Sequence, residues 1–179
     1  MLRNVYSEIH LHLTWHTKHD APVLVDAVEN RTHHYLRHRP MQTPGVIVRE
    51  AGGTADHVHL AVTIPPTVMI ADRIGELKGS SCHHINHEIC NRKVLGWQDG
   101  YGVVGFGTND LPRVVAYIRN QKKHHAEGQT FDRLERMDRP DEFGASRDRR
   151  GAPVSDEAAE NSRHEASERR CSEPGDEAR

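Results

Sequence analysis

Apolar and polar positions alternate along the first part of the chain in short runs, and these are separated by stretches of helical period. From Tyr6 to Trp15, Ile9, Leu11, Leu13 and Trp15 fall on one side and Glu8, His10, His12 and Thr14 on the other, the period-two pattern of a half-buried strand. "VLVDAVENRTHHYLRHR" then places Leu24, Val28, His34 or Tyr35, and Leu36 at approximate helical spacing and ends before Pro40, which predicts a helix. "GVIVREAGGTADHVHLAVTI" reads as two strands joined through Gly52 and Gly53, where tolerance of unusual backbone angles suits a tight reversal. From Val68 to about Arg92, Ile70, Ile74, Leu77, Ser81, Ile85 and Ile89 recur at steps of three and four and predict the longest helix. "WQDGYGVVGFG" predicts a short fourth strand with glycine-rich loops. A last helix begins near Asn109 or Asp110, either of which suits an N-cap, accommodates Pro112 in its first turn, and runs to about Gly128.

The order β-α-β-β-α-β with one helix appended fits an α+β, ferredoxin-like split β-α-β arrangement: an antiparallel four-stranded sheet with two helices on one face. The other sheet face is expected to be free. Beyond Pro140 the chain is almost without large apolar residues, Phe143 and Val154 apart, and cannot bury enough surface to offset its ordering entropy. The expectation is one domain over residues 1–139 and a disordered charged tail over residues 140–179.

Charge refines this division. Of the 179 residues, the last 40 carry 11 acids against 7 basic residues, which leaves 17 basic residues against 15 acids in the preceding body. The body is therefore mildly basic and leans toward an anionic partner. Cys82, Cys90 and Cys171 lack metal-type pairing, which fits a reducing, cytoplasmic compartment. No stretch approaches the roughly 20 apolar residues that span a bilayer, so a membrane role is not expected.

Histidine is the compositional outlier, at 15 residues. In the third strand Val58, Leu60, Val62 and Ile64 share the side that meets the helices, so His57 and His59 point to the opposite face. Imidazoles at i and i+2 project in parallel and suit two-point coordination of one metal ion. A polar face that is simply rich in histidine explains the same motif, and His10 and His12 form a second such pair, so local spacing does not choose. In the last helix Leu111, Val114, Val115 and Ile118 form the apolar stripe. Tyr117 and Gln121 lie together beside it, with His124 and His125 one turn later. A tyrosine is more often packing than nucleophile, but this one sits off the stripe. Arg113, Arg119, Lys122 and Lys123 crowd the same helix with no acid between Asp110 and Glu127, which suits a phosphate backbone or an ordinary solvated face.

Taken together, "DHVHLAVTIPP", "IGELKGSS", "WQDGYGVVGFG" and "VVAYIRNQKKHH" resemble, in this order and over about Val5 to Gly128, the single-tyrosine HUH transposases of the simplest bacterial insertion sequences and their REP-associated relatives. The resemblance implies that His57 and His59 bind a divalent metal, Mg or Mn, with Gln121 as third ligand, and that Tyr117 attacks DNA. It implies a homodimer acting on single-stranded DNA that carries a hairpin, through a 5'-phosphotyrosine intermediate. His10, His12, Lys78, Arg113, Arg119, Lys122 and Lys123, with Tyr101, are candidates for strand contact; for Trp97 and Phe106 core packing is the simpler assignment. Two other readings stand beside it: a domesticated hairpin-binding protein without mobility, and an unrelated metal-binding protein of ferredoxin-like fold.

Overall fold

The computed structural model describes residues 6–39 and 44–137. The expected charged tail lies outside the described residues. Four strands, β1 (Ile9–His16), β2 (Ile47–Gly53), β3 (His57–Ile64) and β4 (Gly102–Phe106), form one sheet in the order β2-β3-β1-β4, and every neighbouring pair is antiparallel. Helices α1 (Asp26–His38) and α2 (Ile70–His83) connect them, which is the ferredoxin-like order the hydrophobic pattern predicts.

Alternation sets the core. Leu11 faces Val62 and Leu13 faces Leu60 across the β1–β3 ladder, and these side chains meet Leu36 of α1 and Ile74 and Leu77 of α2 in one apolar cluster. Trp15 lies at the end of this layer with its ring edge-on to Trp97 at 5.9 Å, and Trp97 Nε1 donates to Ser81 Oγ at 3.0 Å. Trp97 is thus packing. On α1 the inward histidine is His33 rather than His34, and it is buried beside Tyr35 and Leu36. The predicted long helix ends its α-helical part at His83 and continues as a π-helical turn, His84–Ile89, inside which the Asn86 side chain binds the backbone of Val94 and Leu95.

The second sheet face is not free, contrary to expectation. Helix α3 (Leu111–Arg119) crosses it and buries Val114 and Ile118 against Ala61 of β3. The approach is close because the facing residues are small: a Cβ on Gly52 would lie 2.5 Å from the Ile118 carbonyl oxygen. Neither Asn109 nor Asp110 caps the helix with its side chain; a 3-10 turn, Thr108–Asp110, leads into it. The predicted single helix is also broken at Asn120, whose side-chain amide donates to the Ala116 carbonyl at 2.8 Å and competes with the helical ladder. Helix α4 (Gln121–Ala126) follows, and α5 (Asp132–Glu135) returns the chain to β4 and β1.

Two outcomes follow. Gly52→Ala should lower stability in urea unfolding by roughly 1–3 kcal/mol, since either the helix or the strand must shift. Burial pushes the His33 imidazole down from 6.5 to about 4. Between those values the unfolded chain binds a proton that the native one does not, so stability should fall as pH drops, by about 1.4 kcal/mol per pH unit for this group. His33→Gln should flatten that part of the urea-midpoint profile.

Candidate metal and nucleophile site

The polar residues of β3 face α3, α4 and α5. His57 and His59 are buried, their rings 4.9 Å apart and nearly perpendicular, and each is held through its Nδ1. His57 Nδ1 lies 2.7 Å from Asp56 Oδ1 and 2.8 Å from Thr54 Oγ1, while His59 Nδ1 lies 2.9 Å from His12 Nε2. With Nδ1–H donated outward, both Nε2 atoms keep their lone pairs, and neither has a hydrogen bond. Histidines that bind metals are fixed by partners of this kind. Burial, with the neighbouring His59 adding to it, pushes His57 down to about 4, and burial lowers His59 as well. Both rings are neutral near pH 7, the form that coordinates a cation.

Glu135 of α5 enters the space in front of these nitrogens. Its Oε2 is 3.6 Å from His57 Nε2, 3.3 Å from His59 Nε2 and 3.6 Å from His125 Nε2 of α4. Its Oε1 accepts a hydrogen bond from the Tyr117 hydroxyl and another, at 3.3 Å, from the Gln121 amide. Burial opposes the charge of Glu135, while the hydrogen bond it accepts from Tyr117 favours that charge and lowers the carboxyl. One donor atom from each of His57, His59, His125 and Glu135 lies within 4.8 Å of the others, so this cluster is capable of chelating a divalent metal.

Tyr117 is buried rather than open to solvent. Its ring lies between His124 and Phe131, with centroids 4.9 and 5.0 Å away, and 6.3 Å from His59; its hydroxyl also accepts the Phe131 N–H at 3.1 Å. Burial and the Glu135 hydrogen bond push its phenol up to about 12. Gln121 is buried too, and its Oε1 has no hydrogen-bond partner. The predicted residues Tyr117, His57, His59 and Gln121 therefore converge within one chain.

Each residue expected to contact the strand has a partner within the chain. His12 is fully buried as the support of His59, and burial pushes it down to about 3. His10 is buried between Thr63 and Thr108 with its ring stacked on Phe106. Lys78 turns its ammonium to the carbonyls of Gln98, Asp99 and Gly100, so it clamps a loop where a phosphate contact was expected. Burial brings its pKa to about 8. Arg113 lies over the Phe131 ring, Arg119 binds Glu50, Lys122 binds Glu29, and Lys123 lies 3.9 Å from Glu127. The last three keep exposed side chains. Tyr101 is partly exposed beneath Lys78.

His125, Glu135, Asp56 and Thr54 were not anticipated as site residues. Asp56 and Thr54 had a local signal, a carboxylate and a hydroxyl just ahead of the histidine pair. Glu135 had none, because it lies past the last predicted helix.

Comparison with known proteins bears on the family and the fold. The family described as "Transposase IS200 like" matches residues 5–121. A crystal structure of a Deinococcus radiodurans R1 protein assigned as a transposase is 26% identical, covers 68% of this chain and 96% of its own, and superposes with a TM-score of 0.53. A REP-associated tyrosine transposase bound to a REP hairpin is 16% identical, covering 73% of this chain and 75% of its own at a TM-score of 0.49. No curated protein matches the chain. Among the described residues no helix is long and apolar enough to cross a membrane. The match of the family model over most of the folded body places this chain in the IS200-like, single-tyrosine HUH transposase family.

Proposed function

We propose that the protein is a metal-dependent DNA strand transferase that cuts and rejoins single-stranded DNA beside a hairpin, with Tyr117 as nucleophile and His57, His59 and Gln121 as ligands of Mg or Mn. The observation that carries this reading is the convergence of the Tyr117 hydroxyl, the Gln121 amide and the two unpartnered Nε2 atoms on one carboxylate. These residues come from β3, α3 and α4, and a shared role explains their meeting better than packing does, since packing gains nothing from buried nitrogens without partners.

A bound divalent cation would supply polarisation of a phosphate oxygen and stabilise charge in the transition state. The chain's own residues do the rest. Tyr117 attacks phosphorus, an O–P bond forms to the phenol and the P–O3' bond breaks. The phenol loses a proton while the departing 3' oxygen gains one, so the exchange is proton-neutral and reversible, and it conserves the phosphodiester's energy. His12, Asp56 and Thr54 hold the imidazoles in register. Arg119, Lys122 and Lys123 present positive charge on the same helices, suited to the strand's phosphates. Two breaks are needed to excise an element and each chain offers one candidate nucleophile, Tyr117, so a homodimer is the working unit.

Labelled single-stranded hairpin oligonucleotide with Mg or Mn should give an SDS-resistant adduct, absent in Tyr117→Phe and in the double variant His57→Ala/His59→Ala. Retarded bands without an adduct would instead support a hairpin-binding protein that does not cleave. Light scattering should return the mass of two chains; a monomer that still forms the adduct would remove the dimer from this scheme.

A further inference from the structure

The proposed cleavage site contains a second set of ligands. We infer that His125 and Glu135 complete, with His57 and His59, a closed four-ligand divalent-cation centre in the DNA-free protein. Glu135 in this state takes the coordination position that a substrate phosphate oxygen would need. The inference rests on the transferase reading only for that last consequence.

Distances are the first support. A tetrahedral ion with bonds of about 2.0–2.1 Å separates its ligand atoms by roughly 3.4 Å. Glu135 Oε2 lies 3.3, 3.6 and 3.6 Å from the three imidazole Nε2 atoms, close to three of the six edges such an ion requires, and all four donors lie within 4.8 Å of one another. Burial is the second. His57 and His59 are 3% and 0% exposed, and their Nε2 atoms make no hydrogen bond, an arrangement that burial penalises unless a cation accepts the lone pairs.

The segment bearing Glu135 is seated for this role. Gly102 of β4 lets it in, since a Cβ there would lie 2.4 Å from the Arg136 carbonyl oxygen. Phe131 packs on Tyr117 and beneath Arg113, and the Arg133 guanidinium donates to the Gly105 carbonyl at 3.3 Å. Glu135 is thereby held between the imidazoles and the hydroxyl of Tyr117. Gln121 donates its amide to Glu135 and keeps its Oε1 without a hydrogen-bond partner.

Three imidazoles and one carboxylate favour zinc, cobalt or manganese over magnesium, which prefers six oxygens. Cobalt(II) reports the geometry directly, because four-coordinate cobalt absorbs visible light far more strongly than six-coordinate cobalt. Titrating the full chain with cobalt(II) in the absence of DNA should give the intense four-coordinate spectrum. Glu135→Ala and His125→Ala should each lose that intensity and weaken binding by about tenfold or more. His125 is partly exposed, so its variant tests the same centre with little demand on folding. Weak six-coordinate absorption in the parent chain, or unchanged affinity and spectrum in both variants, would overturn the inference. This readout involves no DNA, so it stands or falls apart from the adduct assay: an adduct with an unchanged cobalt spectrum in both variants would leave transfer intact and remove the closed centre.

Discussion

The close approach of α3 to the sheet governs the rest of the molecule. Ile118 can lie against β2 because Gly52 offers hydrogen where any other residue offers carbon, and Ala61 on β3 leaves a shallow floor for Val114 and Ile118. Tyr117, next to Ile118, is carried by the same contact to within ring distance of His59. Glu50 pins the end of this helix by accepting from Arg119, while its other oxygen accepts from Arg37 of α1. Helix α1 on one face and helix α3 on the other are thus tied through the carboxylate of Glu50 on an edge strand.

Electrostatics at the site follow from that burial. Covering the second face removes His12, His57 and His59 from water and keeps them neutral. Neutral imidazoles with occupied Nδ1 atoms leave two Nε2 lone pairs beside the carboxylate of Glu135, a concentration of acceptors of which only the carboxylate is met, by the hydroxyl and amide that donate to it. The phenol beside that carboxylate is kept protonated.

What the sequence determined by itself was the apolar face of each main strand and helix. Period-two runs set β1 and β3 and fixed that His57 and His59 share a face opposite Leu60 and Val62, because strand geometry leaves no freedom there. Helical spacing placed Tyr117 and Gln121 together, and the four quoted segments carried the family. What only the tertiary structure decided was what meets across the fold. His12 became the support of His59 through the β1–β3 register, and Lys78 became a loop clamp because the carbonyls of Gln98, Asp99 and Gly100 come within reach of its ammonium. Glu135 joined the histidines because Gly102 and the break at Asn120 steer the chain back over β4. Periodicity records which side of an element is apolar; it carries no information on how near two elements come, and that distance, set by the smallest side chains between them, decides the chemistry.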